Sequence, residues 1–187
     1  MNTTLVISII ALLALSLTVL YLYDRRMLPA VARSIGFSLL RLWLAAAVLW
    51  LLSMVTAEDA VSPQGPAMGV MTVAALLLLV AWAVTTCTRR ALKVFRSSMA
   101  SGLPQREYLL ANGSTSSEAV RPFTRRALRR TAIAALRVPV IPVMLALVLV
   151  GQTPAWSALT ATLTYSCILT TSLSYVLLRT QVAVRTK

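Results

Sequence analysis

The chain has 187 residues, of which 58% are hydrophobic and 12% charged, with a formal net charge of +13 and no histidine. So much apolar surface exceeds what a soluble core of this length can bury, which excludes an ordinary globular domain and predicts an integral membrane protein. The positive charge does not point to nucleic acid, because a membrane protein that sorts Lys and Arg to one side acquires such a balance from topology, and no basic patch interleaved with aromatics is present.

A helix needs about 20 apolar residues to cross the hydrocarbon, since each backbone polar group must find its partner inside the segment. Five stretches meet that length: 4–23, 36–56, 68–88, 132–150 and 155–178. The predicted fold is therefore all-α and polytopic, a single membrane domain in which a basic segment, 89–130, joins the third and fourth spans. The first span has no basic region before it and no small-residue cleavage pattern after it, so it is expected to stay as an anchor, with the mature chain starting at or near Met1.

Of the 18 basic residues, 16 fall in 24–35, 89–130 and 179–187, while the loop 57–67 has none and carries Glu58 and Asp59. Cytoplasmic loops retain positive charge, so the N-terminus is expected outside and the C-terminus in the cytoplasm. The other two, Arg41 and Arg137, lie within about two turns of the inner boundary by this count. There they could snorkel to lipid phosphates or contact an anion in a cavity.

Between the second and third spans, Ser62-Pro63-Gln64-Gly65-Pro66 has turn chemistry. Met54, Met68 and Met71 approach the outer ends of these spans; thioethers in apolar helices serve as filler, and no metal site is assigned to them. Cys87 and Cys167 belong to spans and are expected to pack as small apolar residues without a disulfide.

The basic segment holds the strongest local signals. Residues 92–111 can form a helix interrupted around Ser101-Gly102-Leu103-Pro104, and Asn112-Gly113 supplies a left-handed turn. Thr115-Ser116-Ser117-Glu118 is a capping box, in which the hydroxyl satisfies a free amide while the carboxylate reaches back to the cap, so a helix should start near Ser116. Pro122 is expected to end that helix in an elbow, after which a second helix carries Arg125, Arg126, Arg129 and Arg130 into the fourth span. Pro139 and Pro142 should loosen the fourth span.

In the fifth span Thr160, Thr164, Cys167, Thr171 and Ser174 recur at helical spacing on one face, flanked by Tyr165 and Tyr175. The stripe suits close helix packing, or, together with Arg137, the lining of a pathway. No phosphate-cradling G-x-x-x-x-G-K-[ST] loop occurs, imidazole ligands and shuttles are absent, and all five acids, Asp24, Glu58, Asp59, Glu107 and Glu118, lie outside the spans. No catalytic residue, metal site or cofactor is therefore assigned to this chain.

The run Glu107-Tyr108-Leu109-Leu110-Ala111-Asn112-Gly113-Ser114-Thr115-Ser116-Ser117-Glu118-Ala119-Val120-Arg121-Pro122-Phe123-Thr124-Arg125-Arg126-Ala127-Leu128 resembles the E-x-L-L-A-L-G-A-T-x-x-E-A-x-R-P-x-x-R-x-A-L pattern of the Fet-type iron-export ABC permeases, a family that includes plant aluminium-tolerance permeases. Val150-Gly151-Gln152 and Thr153-Pro154-Ala155-Trp156-Ser157-Ala158 resemble that family's T-G-Q and S-P-x-x-A. The family has more spans before this loop, so the chain resembles a shortened relative. The resemblance implies a permease subunit that works as a dimer in a bacterial cytoplasmic (inner) membrane and exports a small solute, with a metal ion among the candidates. ATP and Mg would belong to a separate ABC ATPase subunit. It also implies that a short coupling helix, Ser116 to Arg121, enters a cleft of that ATPase: Gly113 shapes the turn, Thr115 and Glu118 cap the helix, and Arg106, Glu107, Arg121 and Arg125 complete the contact surface. The alternative is a non-transporting membrane scaffold whose basic segment recruits a soluble partner.

Overall fold

The computed structural model describes residues 3–23, 25, 28–55, 66–149 and 152–185, and the side chains of these except at 52–55, 66–71, 184 and 185. Ser62 to Gly65 and Gly151 lie outside the described residues, as do the side chains of Met54, Met68 and Met71. Among the described residues seven helices follow one another: α1 (Thr3–Tyr23), α2 (Leu28–Val55), α3 (Pro66–Ser101), α4 (Leu103–Ala111), α5 (Ser116–Leu136), α6 (Val140–Leu149) and α7 (Pro154–Arg185). Five helical units, α1, α2, α3, α5 continued by α6, and α7, are long and apolar enough to cross a membrane.

The helices outrun the apolar stretches. α3 has 36 residues, about 54 Å at 1.5 Å per residue against a hydrocarbon thickness of about 30 Å. Past Thr88 its sequence changes from apolar all round to two-faced: Cys87, Thr88, Ala91, Phe95 and Ser98 are buried, whereas Arg89, Arg90, Lys93 and Arg96 are exposed. α5 has the matching pattern, burying Ala119, Val120, Phe123, Thr124, Ala127, Leu128 and Thr131 and exposing Arg121, Arg125, Arg126, Arg129 and Arg130. Helices with one apolar stripe must cover it, and α3 and α5 cover each other. At their tip the backbone of Gly102 approaches the Phe123 ring so closely that an added Cβ would lie 2.4 Å from the ring and 2.8 Å from the Ser98 carbonyl.

The elbow expected at Pro122 is not there: α5 runs unbroken from Ser116 to Leu136 with Pro122 inside it. The proline removes one amide donor, but Ala119, Val120, Phe123 and Thr124 are buried on either side of it, and that packing keeps the helix on course. The chain breaks later, at 137–139. There Pro139 disfavours helix at the residue before it, and α5 closes with Arg137 N–H donating to the Ala134 carbonyl and Val138 N–H to that of Ala135, each at 3.2 Å.

α7 is the centre of the bundle and packs on α1, α2, α3, α5 and α6. Its apolar window is 61% buried, against 17–22% for the other four units. Small residues make this possible, since Ser157, Ala158, Ala161, Ser166 and Ser172 are fully buried and let neighbouring backbones approach. Their hydroxyls are satisfied within the helix, as where Ser172 bonds to the carbonyls of Ile168 and Leu169. Two bonds tie α7 to α1: Thr170 Oγ1 donates to the Leu12 carbonyl at 3.0 Å, and Gln181 Nε2 donates to the Tyr23 hydroxyl at 2.9 Å. Both join residues 158 apart in sequence, so α1 and α7 run parallel.

Candidate functional site at the basic end

The segment joining α4 to α5 is fixed by two local devices. α4 ends in a Schellman turn: Gly113 takes a φ of +83°, its amide donates to the Leu110 carbonyl, and the Ser114 amide reaches back to that of Leu109, both at 3.1 Å. Two residues on, the expected capping box is present. Thr115 Oγ1 accepts from the Glu118 amide at 3.4 Å, while the Thr115 amide and hydroxyl donate to Glu118 Oε2 at 3.0 and 2.9 Å. The backbone bond from Thr115, followed by the hydroxyl bond, holds the Glu118 carboxyl below the usual glutamate range. A carboxylate in the first turn also suits the positive end of the helix dipole.

Beside this helix start lies a cleft of about 490 Å³, where the ends of α1 and α7 meet α5; Leu22, Tyr23, Glu118, Arg121, Thr124 and Gln181 are among the residues that line it. Arg121 Nη2 donates to the Leu22 carbonyl at 3.3 Å, one of the last four of α1, which a helix leaves without an internal partner. A cation at the negative end of α1 is doubly favourable there. The cleft is thus closed by cross-links between three helices: Arg121 to α1, and Gln181 of α7 to Tyr23.

The sequence-predicted residues fall into groups. Thr115, Ser116, Glu118, Arg121 and Arg125 share the exposed start of α5, and Gly113 is exposed on the turn before it. Glu107 is exposed on α4. Arg106 is half-buried, and its Nε has no hydrogen-bond partner among the described residues. Arg121 is engaged with α1 through Nη2 while remaining exposed. Sequence reasoning missed the other half of the cleft, Tyr23, Thr180 and Gln181, because nothing local marks residues of α1 and α7 as neighbours of α5.

The stripe on α7 is dispersed by the structure. Thr164 is buried, Thr160, Cys167 and Ser174 are half-buried, and Thr171 is exposed. A second face, Thr162, Ser166 and Thr170, is the buried one, and four-residue steps would have found it. Thr160, Thr164 and Thr171 bond to carbonyls of their own helix. Arg137 caps the end of α5 and is exposed. Cys87 and Cys167 are free, and among the described residues no three of Cys, Asp and Glu converge on a point that could hold a metal.

The arrangement presents a capped helix start, flanked by exposed arginines, after a hydrogen-bonded glycine turn. No family model, curated protein or solved structure matches the chain.

Proposed function

We propose that this protein is the membrane subunit of an ABC transporter, spanning a bacterial cytoplasmic membrane five times as half of a homodimer and moving a small solute, with metal ions among the candidates. In this reading the N-terminus is outside and the basic end is cytoplasmic. ATP and Mg are bound and hydrolysed by a separate ATPase subunit, and the exposed start of α5, from Thr115 to Arg125, seats in that subunit.

The single observation that carries the reading is the Gly113 turn followed at once by the Thr115–Glu118 capping box, at the tip of a basic hairpin and in the register of the permease pattern. Continuity of α5 adds a mechanism. Its 21 residues form a rod of about 31 Å packed on α3 and α7. A displacement of Ser116 by a closing ATPase is therefore delivered to the break at Arg137, beside the apolar half of the bundle.

The test is to purify the chain with an ABC ATPase supplied with it and to measure ATP hydrolysis in lipid for wild type, Glu118→Lys and Gly113→Pro. Proline cannot adopt the positive φ of Gly113. Hydrolysis stimulated by the wild type and lost in both variants, with their thermal unfolding retained, is the expected result. Equal stimulation by all three would sink the coupling role. A soluble partner held without hydrolysis would favour the scaffold instead.

A further inference from the structure

A second cleft, of about 270 Å³, opens where α5 breaks into α6. Ser38, Arg41 and Leu42 of α2, Leu136 and Val138 to Pro142 around the break, and Tyr165 of α7 line it. Its place in the bundle changes the standing of Arg41. Counted from residue 36, this arginine is shallow, but α2 begins at Leu28, and Arg41 shares the cleft with Tyr165, which lies 13 residues, about 20 Å, from Leu178 at the end of the fifth apolar stretch. Arg41, exposed on the surface of the bundle, is thus level with the middle of the fifth apolar stretch, where a bare guanidinium is costly.

Three further groups converge on the same space. Tyr165 is 3% exposed; its hydroxyl belongs to the same cleft as Ser38, and among the described residues no partner meets it at hydrogen-bonding distance and angle. Burying a donor without a partner is unfavourable, and this one lines a cavity. α6 begins here, with Pro139, Val140, Ile141 and Pro142 on the wall, so the positive end of a 10-residue helix points at the cleft, and Val140 and Ile141 occupy first-turn positions whose amides an α-helix leaves free. Half-helices that start inside a membrane and turn this end toward an anion are a recurrent way of holding one there. Every polar group named is a donor or can act as one, and among the described lining residues there is no Asp or Glu to neutralise Arg41. The remaining wall, Leu39, Leu42, Leu136, Val138 and Ile141, is apolar.

The geometry points to a binding site for an oxyanion, a phosphate or carboxylate, carried into the membrane on an amphiphile whose apolar part lies along that wall. Arg41 supplies the charge, Tyr165 and Ser38 supply hydroxyl donors, and the start of α6 supplies amides. The site stands apart from the basic-end cleft and needs no ATPase.

The experiment follows thermal unfolding of the purified full chain in detergent, without any partner, titrated with dioleoyl phosphatidylglycerol, dioleoyl phosphatidylcholine or inorganic phosphate. The anionic lipid is expected to raise the midpoint saturably and more than the zwitterionic one. Tyr165→Phe, which removes only the hydroxyl, should weaken the response about fivefold, and Arg41→Gln at least about tenfold. Arg33→Gln, outside the cleft, should leave it unchanged. A matching response to inorganic phosphate, with the same dependence on Arg41 and Tyr165, would keep the oxyanion site and assign it to a free ion. The proposal is overturned if neither anion shifts the midpoint, or if Tyr165→Phe and Arg41→Gln both titrate like the wild type.

Discussion

The two clefts of this bundle are built on opposite principles. At the basic end, Arg121 is held by the Leu22 carbonyl, Gln181 by Tyr23 and Glu118 by Thr115. A third of the way along α7, by contrast, the Tyr165 hydroxyl is buried with no partner among the described residues, and Arg41 has no carboxylate beside it among the lining residues. The first cleft spends its polar groups on tying α1, α5 and α7 together, and what it leaves exposed is a capped helix start. The second withholds its polar groups from the fold, and what it offers is unmet donors. Polarity in an apolar protein is informative only once its partners have been counted.

The contrast can be broken by substitution. The largest effect is expected on the helix both clefts share: Leu173→Ala, at a fully buried site on α7, should cost about 2–5 kcal/mol in denaturant unfolding, whereas the same truncation at Leu77, 65% exposed on α3, should be close to neutral in detergent. Next is Gly102→Val. The Ser98 carbonyl and the Phe123 ring leave no room for a side chain, so a loss of about 1–3 kcal/mol is expected, partly recovered when Phe123→Leu is added.

Thr115→Ala should cost about 1 kcal/mol through the lost cap. The cap also has a pH signature. Because the folded state lowers the pKa of Glu118, its contribution is complete above the ordinary glutamate range and fades as pH falls through the lowered value. Glu118→Gln should flatten that acid-side loss in a series of melts; an unaltered pH profile would remove the carboxylate from the account. The smallest pair is the sharpest. Thr170→Val deletes the bond to Leu12 and should cost about 0.6 kcal/mol, while Tyr165→Phe, in the absence of any anion, should cost nothing. If the two lose equal stability, the hydroxyl of Tyr165 is serving the fold and the contrast fails.

Much of this was legible in the sequence, for identifiable reasons. The five spanning units could be counted because apolar length and the sorting of Arg and Lys are properties of contiguous segments. The Gly113 turn and the capping box could be placed because their bonds run between residues three to five apart. What escaped depends on neighbours. Pro122 reads as a helix stop, but the burial of Val120 and Phe123 against other helices outweighs one missing donor. Hydroxyls populate nearly every face of α7, so periodicity could not choose between the Thr160–Thr164 face and the Thr162–Thr170 face. Arg41 reads as shallow from its distance to the nearest charge, yet its depth is set by its register against Tyr165, which no pattern within α2 records.

That α7 is the hub has a consequence for how the protein is made. Of the helices described, the one that binds α1, α2, α5 and α6 together is the last to leave the ribosome. α3 and α5 can pair as soon as both exist, and Arg121 of α5 can reach the Leu22 carbonyl of α1, but the two bonds between α1 and α7 form only when residues 158 positions later emerge. Until then α1 lacks the helix it packs on most. A pause in synthesis before Pro154 would leave α3 and α5 paired but α1 and α6 without the helix they chiefly pack on.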